Sequence, residues 1–185
     1  MIHGYKKIFW GMFFTTFHFN LGSIKLLPNF IGILIICSGI KEILIEHDNI
    51  SLNISLKLNN IKAFIAFITF ILPFMSIETS SNNIILNTIF FNIGSILEFL
   101  SMLKLLEGTS QILSEKYNSY LGIEYEDKAI KYIYLYPVVV IVSNINFIFM
   151  SELVGVVIVI YALLIIIWIM LSFKRLYKDD LQIVK

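Results

Sequence analysis

The apolar residues of this chain fall into six long blocks parted by short polar breaks, at about residues 8–24, 28–45, 61–77, 84–106, 131–150 and 152–173. A helix that crosses a bilayer needs about 20 residues, since each adds ~1.5 Å against a hydrocarbon core ~30 Å thick. The blocks reach that length or come close to it. The pattern therefore predicts an all-α, polytopic membrane protein with about six transmembrane helices, forming a single membrane domain over residues 1–185.

The breaks carry helix-start signals. Pro28 stands where a first-turn proline loses no hydrogen bond. Asn59 and Asn60 precede the third block, and Ser80, Ser81, Asn82 and Asn83 precede the fourth. Ser151 precedes the sixth, with Glu152 beside the positive end of the helix dipole. Pro73 and Pro137 lie inside blocks and predict bends, because each removes an amide donor from its helix. Residues 50–58, ISLNISLKL, alternate apolar and polar with period 2. That alternation predicts an irregular or extended segment at the membrane surface. Residues 107–127 are mixed and charged, and predict that the fourth helix continues beyond the membrane to a turn near Gly122.

Charge supplies an orientation. Thirteen of the fourteen Lys and Arg residues sit at alternate breaks: Lys6 and Lys7, then Lys41, Lys57 and Lys62, then Lys104, Lys116, Lys128 and Lys131, then Lys174, Arg175, Lys178 and Lys185. Lys25 alone falls on the other side. Cations are retained in cytoplasmic loops, so both termini are placed in the cytoplasm. Trp10, Trp168, Tyr132, Tyr134 and Tyr136 then mark the inner interface.

Composition agrees. A chain that is 58% hydrophobic, with mean hydropathy +0.84, cannot hide its apolar surface in a soluble domain of this size. A net charge of +1 with no basic run argues against a nucleic-acid partner. The single cysteine, Cys37, excludes an internal disulfide and is expected to pack as a small apolar residue. The first alanine is Ala63, so the opening block lacks a small-residue cleavage site and reads as an uncleaved helix. Heavy use of Ile, Asn, Lys and Phe with little Ala suggests an AT-rich bacterial genome, and hence the cytoplasmic membrane.

Candidate chemistry rests on polar groups inside the blocks. A carboxylate at mid-membrane costs about 2.5–3.5 kcal/mol on insertion scales, so Glu98 needs a partner or a task. Histidine is the side chain type whose charge changes near neutral pH, which makes His18 in the first block the matching candidate. Asn20, Asn92, Asn144 and Asn146, with Thr16, Thr88, Ser95 and Ser143, could line one polar seam or bind helices together. Glu98, His18, Asn20, Asn92 and Asn144 are the candidate substrate or proton path. An echo, FNLGSI at 19–24 and FNIGSI at 91–96, falls on blocks of opposite direction and suggests a 3+3 inverted repeat. There is no HExxH, phosphate loop, paired-carboxylate motif or nucleophile elbow, so no catalytic residue, cofactor or metal is expected.

The segment Asn20, Gly22, Leu27, Pro28, Phe30, Ile31, Gly32 and Gly39 resembles the N-x-G … L-P-x-F-I-G signature of small multi-span integral membrane proteins of low-GC Gram-positive bacteria. That resemblance implies a membrane location and no particular activity. Where the pattern often carries an acid after the proline, this chain has Asn29. Physically the segment reads as a tight hairpin in which Gly32 admits a neighbouring helix. In size and span number the chain is also similar to the substrate-capture subunits of energy-coupling-factor vitamin importers. Their small-residue docking stripe finds its nearest match here in Gly11 and Thr15. The expected function is small-molecule transport or capture. The alternative is a non-catalytic accessory, scaffold or protective subunit of a membrane complex. The expected partners are the bilayer and either a small solute or another membrane protein, with homo-oligomers left open.

Overall fold

A computed structural model describes residues 1–17, 20–21, 24–25, 28–71, 84–149 and 151–180. Its elements are α1 (Ile2–Thr16), β1 (Asn20–Leu21), β2 (Ile24–Lys25), α2 (Asn29–Glu46), α3 (Ile50–Ile71), α4 (Ile84–Lys116), α5 (Ser119–Phe149) and α6 (Glu152–Arg175). A single π-helical turn, Leu176–Asp180, follows α6.

Each helix packs antiparallel to the next, and α1 closes the bundle against α6. Gly4 faces Gly39 and Gly11 faces Gly32 across α1 and α2. Phe30 of α2 meets Phe67 and Phe70 of α3. The Ser110 hydroxyl donates to the Gly122 carbonyl at 2.8 Å across α4 and α5, and the Tyr125 hydroxyl donates to the Ser172 carbonyl at 2.7 Å across α5 and α6. The ring of Tyr5 stacks on Phe173, with centroids 5.9 Å apart. The chain start, the α2–α3 turn, the α4–α5 turn and the end of α6 therefore share one end of the bundle. Ion pairs gather there: Met1 N with Glu46, Lys7 with Glu42 at 2.6 Å, and Glu124 with both Lys128 and Arg175 at 2.6 and 2.5 Å. The tightest core lies at the same end, around Tyr5, Leu105, Leu113, Tyr125 and Phe173. At about 50 and 46 Å, α4 and α5 are longer than a ~30 Å hydrocarbon core.

Among the described residues three helices, α3, α5 and α6, are long and apolar enough to cross a membrane, fewer than the six expected. The physical reasons differ. At 15 residues α1 is short of a span. Within its 18 residues α2 carries Lys41, Glu42 and Glu46. In α4 the apolar run is followed by Glu98, Lys104 and Glu107. Large apolar side chains such as Phe64, Ile68, Ile141, Val156 and Ile160 are exposed along the three spanning helices. A patch of that extent suits lipid rather than water.

Several boundaries move. The first block does not form one helix over 8–24: α1 stops at Thr16, and Asn20 pairs with Lys25 in a two-residue antiparallel ladder. Among the described residues of the echo, Asn20, Leu21 and Ile24 are extended, whereas 91–96 lies within α4. Residues 50–58 are helical, and Asn59 and Asn60 lie inside α3 instead of capping it. The buried positions Ser51, Leu52, Ser55 and Asn59 recur at helical spacing, with hydroxyls and an amide facing inward. A reading that equates inward with apolar misses that face. The fourth helix does run on past 106, but the turn comes at residues 117–118, and Gly122 is helical. Three residues stand where the sequence puts them. Pro28 is the N-cap of α2, Pro137 lies within α5, and the Ser151 hydroxyl accepts from the Val154 amide above Glu152 in the first turn of α6. Pro73 and residues 80–83 lie outside the described residues.

Candidate functional site

Glu98 meets a lysine. On α4 its Oε2 forms an ion pair with Nζ of Lys62 on α3. Lys62, which the sequence places at the edge of the third block, sits about three turns into a helix whose inner face is already polar. Its ammonium also donates to Oδ1 of Asn59 at 3.4 Å and Oγ of Ser101 at 3.3 Å, so each of its three N–H groups has an acceptor. The acceptors are themselves held. Asn59 donates to the Ser55 carbonyl at 3.0 Å, Ser55 Oγ donates to the Ser101 carbonyl at 2.8 Å, and Ser101 Oγ donates to the Glu98 carbonyl at 3.1 Å. A charge pair away from water is tolerable only when paired and hydrogen-bonded in this way. The Lys62 side chain keeps 13% of its surface exposed and that of Glu98 keeps 35%, so the carboxylate is the half of the pair that solvent or a solute reaches.

What it opens onto is a cavity of about 150 Å³ at the junction of α1, α2, α3, α4 and α6. Thr15, Thr16, Asn29 and Asn59 supply the rest of its polar wall, with Ser101. Met12, Ile33, Ile36, Met102, Leu105 and Ile166 supply the apolar wall. Both threonine hydroxyls donate back to the Met12 carbonyl, at 2.9 and 2.8 Å, which fixes them at the last turn of α1. The hairpin brings these residues together through two glycine pairs. An added Cβ at Gly11 would lie 2.7 Å from the Gly32 carbonyl oxygen, and one at Gly39 would lie 2.6 Å from that of Gly4. The expectation that Gly32 admits a helix is met, with α1 as that helix.

Of the expected path residues whose side chains are described, only Glu98 belongs to this cavity. Asn92 and Asn144 do not: they exchange two amide hydrogen bonds of 2.9 Å with each other, one helix to the next. Each also donates to a carbonyl four residues back, Thr88 and Val140, so the pair is self-contained. Its role is to join α4 to α5. Replacing Asn92 or Asn144 alone with Leu is expected to cost about 1–2 kcal/mol by stranding the partner amide. The double replacement is expected to cost less than the sum, as read by unfolding in mixed micelles. Asn146 accepts from the Ser151 amide at 3.2 Å and belongs to the α5–α6 turn. Asn20 lies in β1, and His18 lies outside the described residues.

Sequence reading missed Lys62, Asn59 and Ser55. A signal for them exists: Ser51, Ser55, Asn59 and Lys62 stand four, four and three apart, one face of a helix. No three His, Cys, Asp or Glu side chains among the described residues are grouped to hold a metal ion. Compared with protein-family models, curated proteins and solved structures, the chain matches none.

Proposed function

We propose that this chain is a six-crossing protein of the bacterial cytoplasmic membrane, of the kind found in low-GC Gram-positive bacteria, that captures or carries a small solute. The cavity walled by the Lys62–Glu98 pair is the observation that supports this most directly. A bilayer protein that only filled its core would gain nothing from an ion pair held against an open space. Lys62 belongs to the first three helices and Glu98 to the last three, so a solute that competes for either charge loosens the contact between the two groups. That supplies a mechanism for passage by rocking one group on the other. No catalytic chemistry is proposed.

In this reading α1, α2 and α4 cross together with the three strongly apolar helices, and the ion-paired end of the bundle faces the cytoplasm. The cation excess at that end supports the orientation. With the buried Cys37 replaced by Ala, a cysteine at Asn118 is expected to be shielded from a membrane-impermeant thiol reagent in intact cells. A cysteine at Ser151 is expected to react. The reverse pattern would invert the topology.

The functional test is solute or proton flux in proteoliposomes, comparing the parent chain with Glu98→Gln. The parent is expected to pass a solute, and the variant to lose at least about tenfold of that rate while inserting normally, a loss of ~1.4 kcal/mol or more at the limiting barrier. If the parent passes nothing across a broad panel and the variant purifies identically, an accessory subunit becomes the better reading, and copurifying membrane proteins are the next object of search.

A further inference from the structure

The wall of the cavity is charged and yet neutral. Lys62 and Glu98 stand against each other, and no other ionisable side chain lines the space among the described residues. The remaining polar lining consists of hydroxyls and amides, including Thr15, Thr16 and Asn29. Consider what a solute must do to be held there. A neutral polar molecule cannot replace either arm of the ion pair, because separating the pair would leave two charges uncompensated. A lone amine or a lone carboxylate can replace one arm, but it leaves the cavity with a net charge in a medium that solvates charge poorly. A molecule carrying both charges replaces one ion pair with two and keeps the total at zero. Size points the same way. About 150 Å³ is the size of a cavity that admits a benzene-sized molecule, room for a solute of roughly five to eight heavy atoms.

We infer that the solute is a small zwitterion, its ammonium taken by Glu98 and its carboxylate by Lys62. The inference rests on the carrier reading above and adds the chemical class of the solute. Glu98, the more exposed partner, is the arm a solute reaches first. The acceptors on Lys62, Asn59 Oδ1 and Ser101 Oγ, keep that ammonium in place while its carboxylate partner is exchanged.

The test is binding to the full chain in lipid nanodiscs, read by calorimetry, with three kinds of probe. Glycine, alanine and glycine betaine are zwitterions, methylamine and acetate carry one charge, and acetamide carries none. The parent is expected to bind at least one zwitterion, and to bind methylamine and acetate weaker by on the order of 100-fold, the cost of an unbalanced charge in the membrane. Selectivity is then expected to switch by gain. Glu98→Gln, which leaves Lys62 unbalanced, should favour acetate over the zwitterion, and Lys62→Met should favour methylamine. A gain of affinity cannot come from misfolding. The exchanged pair, Lys62→Glu with Glu98→Lys, should recover the preference for zwitterions. If the parent binds methylamine, acetate or acetamide as well as the zwitterions, the solute class is wrong and the carrier reading stands. If no probe binds while flux of another solute is measured, the zwitterion is again excluded. If neither binding nor flux is found, both readings fall.

Discussion

Gly39→Ala is expected to destabilise the protein by about 1–3 kcal/mol, the usual cost of forcing a carbon into a filled site, with a larger loss for Gly39→Leu. The sign is the interesting part. Inside a helix, alanine normally gains about 0.5–1 kcal/mol over glycine, because the unfolded chain has fewer conformations to lose. At Gly39 the new carbon would lie 2.6 Å from the Gly4 carbonyl oxygen and 3.0 Å from the Ile8 amide nitrogen. Both obstacles are backbone, so no rotamer change relieves them, and α1 and α2 must separate. Small residues serve the same purpose at helix contacts in membranes generally, where close packing replaces the hydrophobic drive. Gly94 of α4 is the control. A Cβ there meets nothing within 4 Å, so Gly94→Ala should be neutral or slightly stabilising. Unfolding of both variants in mixed micelles decides the matter, and equal stability of Gly39→Ala and the parent would sink the account of this interface.

Removing Lys62 is the second large effect. In Lys62→Met the Glu98 carboxylate loses its counter-charge, and Asn59 and Ser101 lose a donor. Breaking one side of a buried pair costs about 3–5 kcal/mol, and the third of Glu98 that remains exposed places this case near or below the lower figure, at ~2–3 kcal/mol. Adding Glu98→Gln to Lys62→Met removes the stranded charge, so the double variant should be more stable than Lys62→Met alone. Stability of the four chains in one unfolding assay gives the coupling directly. Additive losses would mean that the two groups do not interact.

The helical parts of this fold were legible where apolar character and helix period coincide. Residues 152–173 with the Ser151 cap gave α6 almost to the residue, and 28–45 behind Pro28 gave α2. Legibility failed where the inner face is polar. Ser51, Ser55 and Asn59 point inward on α3, so the remaining Ile and Leu residues imitate a period of two. It failed again at the first block, because hydrophobicity alone does not separate a helix from the ladder that pairs Asn20 with Lys25. Of the site, Glu98 was found by its cost in lipid. Its partner was not, because Lys62 lies next to a run that reads as a loop, and a lysine beside a loop signals orientation before it signals pairing. The glycines were half legible. Gly32 stands out beside Pro28, whereas the pairing itself is less visible, because Gly4 and Gly11 on one helix and Gly32 and Gly39 on the other repeat every seven. Asn92 and Asn144 were picked out by residue type, but no pattern in the sequence separates an amide that binds a solute from one that binds its neighbour.

The pairing of Lys62 with Glu98 also constrains how the chain is built. At ribosomal speeds of about 5–20 residues per second, α3 is exported seconds before its counter-charge exists. During that interval a helix bearing an uncompensated ammonium has little reason to leave the insertion channel for the acyl chains. If α4 crosses the membrane as proposed, α3 is expected to be retained until α4 arrives, so that the two enter lipid with Lys62 and Glu98 paired. A chain truncated before residue 98 is then expected to integrate less well than one that includes Glu98, a difference that extraction of membranes with alkaline carbonate would read.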